Sequence, residues 1–205
     1  MTPQAILAQG IAAMGLDVDA AKQEKLLAYM ALLQKWNKVY NLTAIRDAEE
    51  MVRLHLLDSL SVLPYIQGKN LLDVGSGGGL PGIVLAIVKP ELQVTTIDTV
   101  QKKAIFMRQA KGELALDNLH VVHGRVEDFH PEEKFEIIIS RAFSELELFI
   151  RLTRYLIAPH GRWLAMKGRI LQDEMAKMDK KQNEIIPLDV YGLDAERHLI
   201  VFKEA

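Results

Sequence analysis

The run Leu71-Leu72-Asp73-Val74-Gly75-Ser76-Gly77-Gly78-Gly79-Leu80-Pro81-Gly82-Ile83 reads as a buried strand, a glycine-rich turn and an apolar helix start. Glycines permit positive φ and let a ligand lie against bare backbone, so such a turn suits a small-molecule cofactor. Asp98 closes the next apolar run, 23 residues after Gly75. An acid at that point accepts hydrogen bonds from both ribose hydroxyls of a bound nucleoside. Gly124-Arg125-Val126-Glu127-Asp128 follows a third apolar run. A polar turn there would reach the adenine edge of the same nucleoside, with a backbone N–H and a carboxylate as partners. The alternative there is a plain solvated loop, because residues 127–136 hold five acids. Its register with Asp73 and Asp98 favours the adenine contact.

Two cofactors compete for this arrangement. Gly77-Gly78-Gly79-Leu80-Pro81-Gly82 matches the G-x-G-x-x-G fingerprint of dinucleotide binding, which would make the protein an NAD-dependent oxidoreductase. Two details favour S-adenosyl-L-methionine. A carboxylate at Asp73 would crowd a pyrophosphate but can attract a cationic amino-acid tail, directly or through water. Pro81 removes a backbone N–H from the helix start, which weakens a diphosphate cradle. A glycine turn that merely joins strand to helix is the third reading, and the acid after the second strand speaks against it.

Elements must hold these residues in place. Leu26, Met30, Leu33 and Trp36 share one helical face, and Val52, Leu56, Leu60 and Leu63 share another, with Pro64 helping to end the second helix. Asn41-Leu42-Thr43 is a polar break between them. After Gly68 the pattern changes to short apolar runs alternating with helix-like stretches. The expected strands are 71–74, 94–97, 119–122, 135–139, 163–166, 184–188 and 198–202. The last two lack a helix between them, which predicts an antiparallel hairpin at one edge of an otherwise parallel sheet. The expectation is one α/β domain spanning 1–205, with a helical cap over 1–65 and a cofactor-binding core over 66–205.

Composition bounds the function. The chain has 205 residues and no cysteine, so disulfides, thiolate metal sites and a thiol nucleophile are excluded. Lys plus Arg number 25 against 27 Asp plus Glu, a net charge of −2 that argues against coating nucleic acid by bulk charge. Order matters more than sum. Residues 148–172 carry Arg151, Arg154, Arg162, Lys167 and Arg169 with no acid, and residues 25–46 carry Lys25, Lys35, Lys38 and Arg46 with none. Together these could border one RNA groove, or they could be scattered helix cations. Met1–Ala20 lacks the positive start of a secretory signal, and the longest apolar run is Ile83–Val88, too short to span a bilayer. A cytoplasmic protein is expected, acting as a monomer in the absence of any coiled-coil pattern, with no membrane partner.

Asp73-Val74-Gly75-Ser76-Gly77-Gly78-Gly79-Leu80-Pro81-Gly82, with Asn41-Leu42-Thr43, His55-Leu56-Leu57-Asp58-Ser59-Leu60 and Ser140-Arg141-Ala142, resembles the methyltransferase G family of the small ribosomal subunit, also called glucose-inhibited division protein B. The similarity runs from the N-terminal helices through Glu196-Arg197-His198. The resemblance implies a Rossmann-like class I S-adenosylmethionine-dependent methyltransferase fold, a seven-stranded mostly parallel sheet with helices on both faces. It implies methyl transfer to N7 of one guanine in the decoding region of 16S ribosomal RNA. Carried over by position, Gly75, Leu80, Val126, Glu127 and Arg141 would contact the cofactor, with Asp98 matching the family's acid. Asp73 and Gly77 join that set from the reading of the loop itself.

Guanine N7 carries a free lone pair, so it can attack a sulfonium methyl group without a general base. Catalysis then rests on proximity and in-line alignment. The enzyme can donate hydrogen bonds to guanine O6 and nearby phosphates, for which Arg and Lys are suited. Arg141 and Lys167, at the ends of the fourth and fifth strands, are the first candidates, followed by Arg197 and then Lys102 or Lys103. His55 and Asp58, three apart on a helix, are expected to form a hydrogen-bonded pair against the cofactor loop; a metal role is disfavoured because no third ligand is spaced nearby. Asn41 could touch RNA or cap the following structure, and Trp36 is expected in the core. A noncatalytic RNA-binding module remains the alternative from another class.

Overall fold

The computed structural model describes residues 1–143, 145–177 and 182–204. Its N-terminal helices start where short polar side chains can satisfy unpaired backbone donors. Helix α1 (Pro3–Ala13) is capped by Thr2, which accepts from the Ala5 N–H. Helix α2 (Ala20–Tyr40) is capped by Asp19, which accepts from Lys22. Asn41 ends α2 in the left-handed region at φ 50°, so it caps the preceding helix rather than the following one. The next helical stretch changes pitch twice: α3 (Ala48–Met51), a π-helical segment (Val52–Leu57) and α4 (Asp58–Leu60). Regular helix ends at Leu60, and Pro64 sits in a separate 3-10 turn (Leu63–Tyr65).

Seven strands follow: β1 (Asn70–Val74), β2 (Gln93–Asp98), β3 (Leu119–His123), β4 (Phe135–Ser140), β5 (Ile157–Lys167), β6 (Asn183–Pro187) and β7 (His198–Lys203). Their order is β3-β2-β1-β4-β5-β7-β6. The first five are parallel; β7 lies antiparallel between β5 and β6, as the missing helix between the last two runs required. Strand β5 begins at Ile157, before the expected 163: Ile157 pairs with Phe135 of β4, the pairing resumes at Arg162 with Ile137, and Pro159-His160-Gly161 lies in the irregularity between them, with His160 at φ 62°.

Helices α5 (Gly82–Val88), α6 (Gln101–Glu113), α7 (Leu146–Thr153) and the short α8 (Gln172–Ala176) complete the chain. The central strands are buried on both faces, so alternate residues feed two cores. Leu71, Val94, Ile137, Leu164 and Val201 face the larger core with α5, α6 and the N-terminal helices. Leu72, Ile97, Ile138, Trp163 and Phe202 face the smaller core under α7. Because β1 is flanked by β2 on one side and β4 on the other, chain direction across the sheet reverses there. Crevices at the carboxyl ends of strands open at such a point. The glycine turn after β1 and Arg141 after β4 both lie at it.

Candidate active site

The glycine turn is held from three sides. Gly75 and Ser76 donate their N–H groups to Ile97 O at 2.9 and 3.2 Å, which fastens the turn to β2. Asp98 Oδ2 accepts the Gly77 N–H at 2.8 Å and its Oδ1 accepts the Val100 N–H at 2.9 Å. Tyr29, fully buried on α2, donates its hydroxyl to Gly78 O at 2.6 Å. Gly75 and Gly77 have φ of +69° and +61°, a region strained for any side chain with a Cβ. A Cβ on Gly75 would meet Ala142 at 2.8 Å, whereas one on Gly77 would meet nothing within 4 Å. Gly77 therefore faces open space with bare backbone.

Asp73 lies beneath this turn and does not line its cavity. Its Oδ2 accepts from Ser76 Oγ at 2.6 Å and from the Gly82 N–H at 2.8 Å, while its Oδ1 is buried without a partner. Burial pushes the carboxyl up to about 7, against the hydrogen bonds from Ser76 and Gly82. The expected attraction for a cationic tail thus finds this group engaged in holding the loop's shape. The same bond also takes the first N–H of α5 away from any diphosphate, which counts against the dinucleotide reading.

A cavity of about 140 Å³ opens on the turn, lined by Gly75, Ser76, Gly77, Leu80, Thr43, His55 and Arg141 among others. That volume is below the roughly 300–1,000 Å³ usual for a whole small-molecule ligand. It suits the amino-acid end of S-adenosyl-L-methionine, with the nucleoside extending along the strand ends. The groups expected at the nucleoside lie on those ends. Asp98 terminates β2, and Gly124 N–H donates to Asp98 O at 3.0 Å, which brings the turn after β3 alongside. Val126–Asp128 form a 3-10 turn fixed by the Tyr155 hydroxyl, which donates to Val126 O and Phe129 O. Val126 is buried there, and Glu127 pairs with Arg125 at 3.3 Å. Of the residues expected at the cofactor, Gly75, Gly77, Leu80 and Arg141 line the cavity, which fits a ligand lying on bare backbone; Asp98 is buried with both oxygens accepting backbone N–H groups, and Val126 packs into the smaller core.

A second cavity of about 410 Å³ adjoins the first, and Arg141 and His55 border both. Asp58, Lys167, Arg197 and His198 line it as well. The three basic candidates from the sequence therefore converge, although they come from β4, β5 and the start of β7. Lys167 Nζ bonds Glu174 Oε1 at 2.6 Å. Arg141 Nη1 donates to Asp58 Oδ2 at 3.2 Å, and Arg197 Nε donates to Asp58 Oδ1 at 3.0 Å. Burial pushes the Asp58 carboxyl upward, and Arg141 and Arg197 oppose that shift.

His55 does not pair with Asp58 as the spacing suggested. Its Nε2 lies 2.8 Å from Thr43 Oγ1, and its Nδ1 is buried without a partner. The π-helical pitch rotates the two side chains apart. Burial, with the Arg141 charge, pulls the ring down to about 4, so it is neutral at neutral pH. Among the described residues, no group of three His, Asp or Glu side chains could hold a metal ion.

The basic residues of 148–172 do not line one cavity. Arg162 donates to Tyr65 O and Gln67 O at the amino end of the sheet, Arg154 pairs with Glu204, and Arg151 lines a separate cavity by α7. Among the described residues, Lys167 is the member of that window that lines the second cavity. Lys102 and Lys103 lie on the first turn of α6, outside both cavities. Trp36 packs on the core, 5.7 Å from Phe106 and 5.2 Å from Tyr40 between ring centres. Tyr29 and Asp58 are the residues that reading the sequence underrated. Tyr29 belongs to an ordinary apolar stripe, so no local signal marks it.

Comparison with known proteins agrees with this geometry. A family model described as rRNA small subunit methyltransferase G matches residues 22–200. The ribosomal RNA small subunit methyltransferase G of Methylobacillus flagellatus is 64% identical over 194 residues, 95% of each chain. That of Aromatoleum aromaticum is 55% identical over 206 residues, 97% of this chain and 98% of its own. Among solved structures, a SAM-dependent methyltransferase from Aquifex aeolicus aligns with TM-score 0.55 at 17% identity, over 75% of this chain and 93% of its own. A TehB-like SAM-dependent methyltransferase from Corynebacterium glutamicum gives 0.54 at 17% identity, over 87% and 99%. At such identities the structural likeness establishes the fold, a Rossmann-like class I methyltransferase sheet. The sequence matches establish more: the chain belongs to the rRNA small subunit methyltransferase G family.

Proposed function

We propose that this protein transfers the methyl group of S-adenosyl-L-methionine to N7 of a guanine in the decoding region of 16S ribosomal RNA. The observation that carries the proposal is the shared wall at Arg141, which borders both the glycine-turn cavity and the larger cavity lined by Lys167 and Arg197. A methyl donor in one and a base in the other would meet at that wall.

When bound, the cofactor supplies an electrophilic methyl group on a sulfonium. The chain's own groups do the rest. The Gly75–Gly79 backbone receives the amino-acid end, Asp98 accepts from the ribose hydroxyls, and the Val126–Glu127 turn meets the adenine. Arg141, Lys167 and Arg197 donate to guanine O6 and to flanking phosphates, leaving N7 open to attack. Because N7 has its lone pair free, no side chain must remove a proton. Consistently, His55 is neutral and engaged by Thr43, and Asp58 is enclosed by two arginines. The rate enhancement comes from holding the two reactants in line and in contact.

The target base must leave its stack to enter a cavity of this size, as is usual for enzymes that modify bases. The RNA, within the small ribosomal subunit, is the partner, and a single copy of this chain acting in the cytoplasm suffices. The test is transfer of tritiated methyl groups to small subunits, or their RNA, from a strain lacking the enzyme. Digestion to nucleosides is expected to yield labelled 7-methylguanosine; label in any other nucleoside, or none, refutes the proposal. RNA binding that persists without transfer would instead support a noncatalytic module.

A further inference from the structure

Among the described residues, both ion pairs that join the helices before β1 to the sheet and its loops pass through Asp58. Its side chain is 7% exposed and starts α4, where the π-helical segment ends. Each carboxylate oxygen takes one arginine: Oδ2 accepts Arg141 Nη1, from 83 residues away, and Oδ1 accepts Arg197 Nε, from 139 residues away. Arg141 Nη1 also reaches Leu54 O, and Arg197 Nη1 reaches Glu196 O. A guanidinium has five N–H donors in a fixed fork. With one oxygen per arginine, neither fork is closed by a bidentate pair. Nε and Nη2 of Arg141 and Nη2 of Arg197 have no protein acceptor among the described residues. Both arginines line the 410 Å³ cavity, and their side chains are 27% and 25% exposed.

We propose that Asp58 is a positioning residue for the methyl-transfer reaction, holding Arg141 and Arg197 so that their remaining N–H groups point at the incoming nucleotide. The carboxylate itself touches neither reactant. It fixes two flexible side chains from separate strand ends relative to one another, and ties both to the helical layer that covers the cofactor turn. A buried carboxylate with two cations cannot swing away without leaving a charge uncompensated. This inference rests on the proposed methyl transfer for its kinetic consequence, and on geometry alone for the fixing of the arginines.

Two variants of the full chain test it. Asp58→Asn keeps the size and removes the charge; Asp58→Glu keeps the charge and displaces it by one methylene. In nitrogen-labelled protein, exchange of the Arg197 Nε–H is expected to accelerate about tenfold or more in Asp58→Asn, as a hydrogen-bonded proton becomes open to solvent. With small subunits as substrate, kcat is expected to fall about tenfold or more in Asp58→Asn and measurably in Asp58→Glu, because sub-ångström placement controls the rate. KM for S-adenosyl-L-methionine is expected to stay within about threefold. Asp58→Asn should also cost less in an Arg197→Gln background than in the wild type, since the two act through one contact. Wild-type kcat in both folded Asp58 variants, or full additivity in the double variant, overturns the proposal. A wild-type enzyme that transfers no methyl group would refute the proposed function instead. The Arg197 exchange rate would then still decide whether Asp58 holds that arginine.

Discussion

Replacing Gly77 with alanine separates backbone strain from ligand contact. Gly77 sits at φ +61° with no atom within 4 Å of an added Cβ. Gly15, after α1 and outside both cavities, sits at φ +66° with the same empty surroundings. Left-handed backbone costs alanine about 1–2 kcal/mol, so the two substitutions should destabilise the free protein by nearly equal amounts. Loss of chain freedom in the unfolded state, which favours alanine, is common to both and cancels. Only Gly77 lines the cofactor cavity. A methyl group placed where a ligand lies against backbone costs roughly 1–3 kcal/mol of overpacking, which weakens binding about 5- to 150-fold. Gly75→Ala should add a fold penalty of its own, because its Cβ would stand 2.8 Å from that of Ala142. Urea denaturation gives the stabilities, and isothermal titration with S-adenosyl-L-methionine or its demethylated product gives Kd. Wild-type affinity in Gly77→Ala, or a stability loss far beyond that of Gly15→Ala, would refute the placement of the cofactor on this turn.

Tyr29→Phe removes the donor to Gly78 O while keeping the ring; a loss of about 1–3 kcal/mol in stability and a higher cofactor Kd are expected, measured by the same two methods. Arg141→Ala should cost about 1–3 kcal/mol, since Asp58 keeps Arg197, and should lower kcat while the protein stays folded; unchanged turnover would exclude Arg141 from the site. Stability should also vary with pH in two opposed ways. Asp73, raised from 3.8 to about 7, binds its proton more tightly in the folded state, so its contribution is full below 3.8 and is lost as pH rises toward 7. His55, lowered from 6.5 to about 4, contributes fully above 6.5 and loses that contribution as pH falls toward 4. Urea midpoints followed from about pH 4 to about pH 8 should show Asp73→Asn without the decline toward neutrality and His55→Gln without the acid-side loss. Wild-type slopes in both variants would contradict these environments.

Local pattern carried most of the fold. Seven short apolar runs became seven strands, and the lack of helix between Leu188 and His198 foretold the antiparallel edge. Where the reading fell short, local signals conflicted with distant contacts. Pro159-His160-Gly161 looks like a turn, and it is an irregularity inside β5: Ile157 before it pairs with Phe135 of β4, and Arg162 after it pairs with both β4 and β7. His55 and Asp58 share a face only if the helix is α-helical, and the π-helical segment breaks that premise.

The cofactor end of the site was legible because its chemistry is contiguous: a strand, glycines and an acid at the end of the next strand suffice to specify bare backbone beside a carboxylate. By itself the sequence determined the fold class, the glycine turn at Gly75–Gly79, the place of Asp98 at the end of β2 and the family resemblance. The tertiary structure alone decided that Asp73 supports the loop, that Tyr29 clamps Gly78, and that Arg141 and Arg197 meet on Asp58. The physical reason is sequence separation. A charge pair between residues 83 or 139 positions apart leaves no periodicity in the chain, and only the packing of helices onto strand ends brings such partners within 3.2 Å.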